Sequence, residues 1–423
     1  MPGFALLGAP PTVVETIPGN AANDVDPGLR EFRVVFDQAM STGGMSVVGG
    51  GPKFPRFVGK PRWESDRTFV WNWQLEPERE YWLSINSDRF TNFRGQTGEP
   101  ASPYPVAFRT GKGSGASPTI QNRDAIVHLK RAILEDYSYH DLRGVSWPDR
   151  FGEFSTKLEE SGSPERFART AAELLAPAED IHLWLKVGEQ SIPTFRRNAR
   201  WNVDLSLLPQ RIPGWRKHNA VVSSGRFEGG VSYLFIRSWP TSITDVEPAF
   251  TFVAECLKAG HSLIVDVRVN DGGSETTARQ FAGCFVDRPV AYAKHSIRRD
   301  GQFAEPQVRE LQPNKDQPHF TNRVVVLTGQ GTVSSGEAFV MMMKQNPECT
   351  LVGDNTAGAS GNPQPVDLGN GVTAFVPSWK NMDLDGVCLE GKGIAPDRKV
   401  EINTLNSRLP DPVIAAALDL LRK

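Results

Sequence analysis

Cysteine is scarce in this chain. There are four in 423 residues, Cys256, Cys284, Cys349 and Cys388, with no Cys-x-x-Cys pair and no companion histidine at ligand spacing. That excludes a disulfide framework and a zinc site of the usual kind, and no metal or cofactor is implied. An excess of one charge sign is also missing. Lysine and arginine number 47 against 49 aspartates and glutamates. With no basic block to track a phosphate backbone, nucleic acid is not an expected partner, and neither is an anionic membrane surface. No apolar run approaches the about 20 residues of a membrane span. The start Met1-Pro2-Gly3-Phe4 lacks the charged residues and long apolar stretch of a secretion signal. The expectation is a chain without a transmembrane segment, cytoplasmic as it stands or extracytoplasmic if it is a processed form. Its length allows two or three domains.

What is present first is alternation. From about Pro10 to Thr110, runs such as Phe32-Arg33-Val34, Phe69-Val70-Trp71-Asn72-Trp73 and Tyr81-Trp82-Leu83-Ser84-Ile85 place apolar residues at every second position. Period two predicts strands with one buried face, and Gly, Pro, Asn and Asp clusters separate them as in an antiparallel sandwich. The segments Thr16-Ile17-Pro18-Gly19-Asn20, Val34-Val35-Phe36-Asp37-Gln38-Ala39-Met40 and Phe108-Arg109-Thr110-Gly111 resemble bacterial immunoglobulin-like modules. We therefore expect an immunoglobulin-like β-sandwich over 1–112, with a Gly/Ser linker over 113–119.

The period then changes. Ile126, Leu129, Ile133 and Tyr137, next Phe151, Phe154 and Leu158, and then Phe167, Ala171 and Leu174 recur at helical spacing, which predicts three helices. Asp180 to Val187 alternates like a strand and would set His182 and Trp184 on one face. Taken alone, His182 reads as a half-buried structural histidine rather than as a base. From Val231 onward strands and helices interleave. Tyr233–Ile236 and Leu263–Val267 read as buried strands, Val246–Leu257 and Ser274–Phe285 as helices, and the fold class is α/β. The turn Asn270-Asp271-Gly272-Gly273 leaves backbone N–H groups beside a helix start, without the glycine pattern of a phosphate or dinucleotide loop. Val324-Val325-Val326-Leu327, broken by Gly329 and Gly331, leads into Thr332-Val333-Ser334-Ser335-Gly336-Glu337. A hydroxyl there projects beyond a strand's carboxyl end at a helix start, where free N–H groups favour a developing oxyanion. The same residues also spell a capping box, with Ser334 accepting from the helix backbone and Glu337 reaching back.

Four segments occur in the order seen in tail-specific and tricorn-type serine peptidases: Leu263 to Gly273, Val324 to Phe339, Leu351-Val352-Gly353-Asp354-Asn355-Thr356-Ala357-Gly358, and Glu390-Gly391-Lys392-Gly393-Ile394-Ala395-Pro396-Asp397. The likeness spans roughly 120–420. It implies a crotonase-like α/β core, with a helical segment over 120–228 carrying the histidine and the peptidase core over 229–423. It also implies Ser334 as nucleophile, with an oxyanion hole from Ser335 N–H and a glycine N–H of Gly272 or Gly273. Where one branch of the family places a lysine base after its glycine, this chain has Ala359. The tricorn-like branch has a histidine in an Asp-Gly-His element, which Asp180-Ile181-His182 resembles, and a glutamate before the Gly-Ile-x-Pro-Asp turn, here Glu390. The set implied is Ser334, His182 and Glu390, although Glu390 in isolation would read as a solvated acid. Ile181 stands where that branch has a steadying serine, so a fourth member is unassigned. The stretch from His182 to Gly229 is shorter than the about 50 residues of a small domain, which leaves no room for an inserted PDZ domain.

The function expected is a serine endopeptidase acting on extended or unfolded polypeptide. The alternatives are a non-catalytic carrier of a hydrophobic ligand or peptide on the same fold, and a small-molecule esterase or amidase. Asn355, Thr356, Trp379 and Asp385, on loops near the motifs, are the candidate substrate-binding residues.

Overall fold

Alternating burial organises the N-terminal region. The computed structural model describes residues 9–111, 118–402 and 410–422, and the chain divides into two units, Met1–Ser117 and Pro118–Lys423. In the first, strand Glu31–Phe36 buries Phe32, Val34 and Phe36, while the residues between them stay partly exposed. It lies in a four-stranded sheet with Val13–Ile17, Thr68–Gln74 and Arg56–Trp63; a second four-stranded sheet joins Ala22–Val25, Tyr104–Thr110, Glu80–Ile85 and Val47–Val48. Phe32, Phe69 and Trp73 from one sheet share a core with Tyr81, Leu83, Val106 and Phe108 from the other. This is a β-sandwich, each strand contributing its inward face. Of the expected linker 113–119, residues 113–117 lie outside the described residues, and Pro118 and Thr119 belong to a helix, Pro118–Arg131.

The second unit is mixed α/β. Its seven-stranded sheet runs in the order Arg216–Lys217, Val222–Phe227, Val231–Ile236, Ser262–Asp266, Val324–Thr328, Cys349–Gly353, Arg398–Lys399, and the last five strands are mutually parallel. Val231–Ile236 and Val324–Thr328 are buried at every position, as uncharged runs must be when both faces are covered. Leu234, Val265 and Val326 face helices Glu247–Lys258, Glu275–Ala282 and Ser335–Met343. Tyr233, Ile264 and Val325 face the opposite layer, which includes helix Pro412–Leu421. Among the described residues no helix is long and apolar enough to cross a membrane.

The three expected helices are Pro118–Arg131, Trp147–Glu159 and Pro164–Leu175. They do not form a body of their own. Leu129, Phe154 and Phe167 share one core with Leu368, Val372 and Ala374 from the C-terminal half, so the expected division at 228/229 is not a division between compact units. The strand expected from Asp180 begins at Trp184. The Asp180 carboxylate accepts from His182 N–H at 2.7 Å, which turns the backbone before pairing starts. From there Trp184 and Leu185 pair with Phe375 and Ala374, and the Trp184 and Phe375 rings stack at 4.7 Å.

Candidate active site

Ser334 stands at the carboxyl end of Val324–Thr328, just before the buried helix Ser335–Met343, with φ 57° and ψ −121°. A non-glycine residue holds this conformation at a strain of about 1–3 kcal/mol, sustained only by what surrounds it. Ser334 N–H donates to Ala359 O at 2.8 Å, and Ser334 O accepts from Glu337 and Ala338 N–H at 2.9 and 3.1 Å. The capping-box pattern is not realised. Ser334 makes no side-chain cap bond, and Glu337 turns away to accept from Thr356 Oγ1 at 2.6 Å and from Gly358 and Ala359 N–H at 2.6 and 2.8 Å. Glu337 thus fixes the loop whose Ala359 carbonyl holds Ser334. Burial pushes the Glu337 carboxyl up to about 7, against those hydrogen bonds.

The glycine turn lies directly against the serine. A Cβ on Gly272, whose φ is +86°, would fall 2.8 Å from Ser334 Cβ and 3.1 Å from Ser335 N, and one on Gly273 would meet the Trp239 carbonyl. Only glycine fits that approach. The two glycine N–H groups are not equivalent. Gly272 N–H donates to Asn270 Oδ1 at 3.0 Å, whereas Gly273 and Ser335 N–H have no acceptor among the described residues. The Ser335 hydroxyl donates to Gly273 O at 2.7 Å and ties the two segments together. Asn270, fully buried, also donates to Ile236 O at 3.1 Å, and its carbonyl accepts from Val333 N–H at 2.9 Å. The sequence motif included this asparagine without assigning it a task.

His182 is half-buried at the mouth of strand Trp184–Val187, and its Nδ1 is buried without a partner. Burial, and secondarily the Arg197 charge, pull its pKa down to about 4, so the ring is neutral near pH 7. Glu390 is 4% exposed, not the solvated acid its glycine-rich context suggests. Its Oε2 accepts from Ser360 N–H at 2.9 Å, and its Oε1 is buried without a partner. Burial first, then the Asp180 charge, raise its pKa well above the usual carboxylate range. Asp180, itself 1% exposed and raised by burial to about 6, accepts from the Tyr137 hydroxyl at 3.0 Å as well as from His182 N–H. The site therefore holds two interacting buried carboxylates and a neutral imidazole with unmatched polar atoms. Neither His182–Glu390 nor Ser334–His182 is in hydrogen-bond contact among the described residues.

The four candidate binding residues do not converge. Asn355 and Thr356 line a cavity of about 440 Å³ with Arg143, Arg197 and Lys392. The Thr356 hydroxyl is already committed to Glu337 and Ile394 N–H. Asp385 lines a different cavity, of about 400 Å³, with Tyr292 and Met341. Trp379 lies under the Arg309 guanidinium at 5.0 Å and beside the His295 ring at 5.1 Å. Arg197, which donates to Ala357 O, was given by no sequence signal: it lies in a polar stretch, Arg196 to Arg200, without periodicity.

Residues 230–400 match the sequence profile of peptidase family S41. The carboxy-terminal processing protease CtpA of Bacillus subtilis is 23% identical over 202 residues, 48% of this chain and 40% of that protein. The "Probable CtpA-like serine protease" of Staphylococcus epidermidis is 27% identical over 142 residues, 34% of this chain and 28% of that protein. The chain thus spans less than half the length of these curated relatives. A solved structure from Parabacteroides merdae superposes with a TM-score of 0.62 over 71% of this chain and 97% of that one, at 23% identity, and shares the fold. The matched core is of the serine-peptidase kind, a hydrolase core.

Proposed function

We propose that the second unit hydrolyses peptide bonds of extended or unfolded polypeptide, with Ser334 as nucleophile, His182 as general base and Glu390 as its charge partner. The observation that supports this most is the pairing of a strained serine whose side chain caps nothing with two backbone N–H groups beside it, Ser335 and Gly273, left without acceptors among the described residues. In this reading the Ser334 oxygen attacks the substrate carbonyl while its proton passes to His182. The carbonyl oxygen becomes an oxyanion received by the Ser335 and Gly273 N–H groups. The tetrahedral adduct collapses, the C–N bond breaks, and His182 returns the proton to the leaving amine. Water then repeats the sequence on the acyl-enzyme. Of the two glycines, Gly273 is the better donor because Asn270 engages Gly272.

A neutral His182 is free to take a proton, but the burial that keeps it neutral disfavours the imidazolium, which therefore needs a counter-charge. Glu390, with one oxygen uncommitted, can supply it. Catalytic hydrogen bonds often close only with substrate in place, consistent with the separate positions of the three side chains here. The polypeptide would lie as an added strand beside the site. We also read the second unit's core as crotonase-like, and the N-terminal sandwich as an immunoglobulin-like module that binds or positions.

Fluorophosphonate labelling tests the proposal. The intact chain should label, and Ser334→Ala and His182→Ala should not. A well-folded chain that does not label would overturn the nucleophile and favour a ligand-carrying role for this fold.

A further inference from the structure

The Gly273 turn and the Glu390 segment belong to different elements, and one line of buried side chains joins them. At one end is Glu275, the first residue of helix Glu275–Ala282, two positions after Gly273. Two residues of chain span at most about 7 Å, so whatever holds Glu275 also holds the Gly273 N–H. The Glu275 carboxylate accepts from the Tyr292 hydroxyl, from Arg279 at 2.7 Å and from Arg309 at 2.7 Å. Burial acts to raise its pKa, but the Arg309 charge and the Tyr292 hydrogen bond outweigh burial and hold it below the usual range, so the group is ionised.

At the other end is Asn381, buried on strand Trp379–Met382. Its backbone carbonyl accepts at 3.2 Å from the N–H of Leu389, the residue before Glu390. Its N–H donates to the Tyr139 hydroxyl at 3.3 Å, which donates in turn to Ser360 O at 2.6 Å, and Ser360 N–H donates to the Glu390 carboxylate at 2.9 Å. Ser360 directly follows Ala359, whose carbonyl accepts from Ser334 N–H.

Arg309 bridges the two ends. One terminal nitrogen donates to Glu275 and the other to the Asn381 side-chain oxygen. The residue is 4% exposed, and its guanidinium lies over the Tyr292 and Trp379 rings at 5.3 and 5.0 Å from their centroids. A planar fork stacked on rings has little freedom, so it fixes the separation of the two acceptors it holds. An ion pair buried this deeply adds little stability over apolar side chains of the same volume, which makes the geometry it imposes its distinctive contribution.

We propose that Arg309 is a positioning residue for the reaction: through Glu275 and Asn381 it sets the distance between the oxyanion donor Gly273 and the charge partner Glu390, without touching substrate. The proposal rests on the reading of Ser334, His182 and Glu390 as a catalytic set and adds to it a residue outside the site. A misplacement of about 1 Å can cost about 10²-fold in rate. Because neither end of the line is a substrate contact, the loss should fall on the chemical step and not on binding.

The test reads inactivation of the intact chain by a fluorophosphonate, resolved into kinact and KI and referred to the folded fraction from urea unfolding. In that reaction the Ser334 oxygen bonds to phosphorus, fluoride leaves, the serine proton passes to His182, and the phosphonyl oxygen takes up charge before the Ser335 and Gly273 N–H groups. Arg309→Met, Asn381→Leu and Glu275→Gln, whose amide cannot accept on both sides, should each lower kinact about 10- to 100-fold, with KI within about 3-fold of the parent. Since the three act as a unit, Glu275→Gln combined with Asn381→Leu should fall within about 3-fold of the slower single variant. Should Arg309→Met fail to fold, the other two variants and their combination carry the test. A parent that labels at Ser334 while the variants keep its kinact, or change only KI, overturns the positioning role alone. Losses that multiply in the combined variant show two independent contacts and overturn it as well. A well-folded parent that does not label overturns the catalytic reading, and the role with it.

Discussion

Two groups of buried charges occupy the second unit, and they are opposites. In one, Arg268 is fully buried and donates to Asp266, to Asp411 and to Asn202 O, while the Tyr233 hydroxyl completes Asp266 at 2.6 Å. The Arg268 guanidinium is fully enclosed by partners, and the cluster bolts the N-cap of helix Pro412–Leu421 to the end of strand Ser262–Asp266. In the other, Asp180 and Glu390 are buried and His182 is half-buried, but Glu390 Oε1 and His182 Nδ1 have no partner among the described residues. The first set of charges is closed and serves to hold structure. The second is open, and an open set of buried polar atoms is what a reacting substrate can complete. Burial alone does not distinguish the two; satisfaction does.

Breaking each cluster should therefore give contrasting outcomes. The largest effect is expected at the open one: His182→Ala should lower kcat/KM for a peptide by about 10³-fold or more, with little change in denaturant midpoint. Arg268→Met should do the reverse, losing about 3–5 kcal/mol of stability to two stranded carboxylates, while fluorophosphonate labelling per folded molecule persists. Adding Asp266→Asn and Asp411→Asn to Arg268→Met should recover most of that loss in urea unfolding. A triple variant as unstable as the single one would show that the cluster holds more than its own charges.

At the open cluster the sign should invert. Glu390→Gln keeps the acceptor for Ser360 N–H and removes a charge that burial and Asp180 disfavour, so it should stabilise the fold at pH 7 by about 1–2 kcal/mol while slowing catalysis. Because the Glu390 pKa is raised on folding, its carboxylate withdraws stability as pH rises above its unfolded value of about 4.3 toward the raised one. His182 acts in the opposite direction. Its pKa falls from 6.5 unfolded to about 4 folded, so stability grows with pH across that window. The gain of Glu390→Gln over the parent should therefore widen from pH 5 to pH 8 in thermal melts, and a gain independent of pH would remove the charge explanation. The smallest effect is kinetic. The acid limb of kcat/KM should follow Glu390 in the parent and drop toward about pH 4, where His182 is protonated, in Glu390→Gln.

Much of this architecture is legible in the chain. Val324–Thr328 is uncharged and β-branched because both its faces are covered, and the period-two runs of the sandwich alternate because one face of each is not. What local pattern could not resolve was the fate of Ser334-Ser335-Gly336-Glu337. The same letters make a cap or a nucleophile turn, and the outcome rests on Glu337 finding the Thr356–Ala359 loop about twenty residues away. Glu390 read alone as solvated because two nearby glycines suggest an exposed loop; its carboxylate instead accepts from the N–H of Ser360, a distant residue whose carbonyl accepts from the Tyr139 hydroxyl. Arg197 left no trace, since an arginine in an aperiodic stretch has no spacing to betray it. Trp379 and Asp385 were near the motifs in sequence but belong to other surroundings.

The backbone conformation of Ser334 has a consequence for the life of the chain before it is folded. Of the residues that impose it, Asn270 and Ala359 are distant from Ser334 along the polypeptide and reach its surroundings only in the assembled second unit. A nascent or unfolded chain presents Ser334 as an ordinary serine hydroxyl. On the proposed mechanism, the reactivity of Ser334 would arrive together with these long-range contacts.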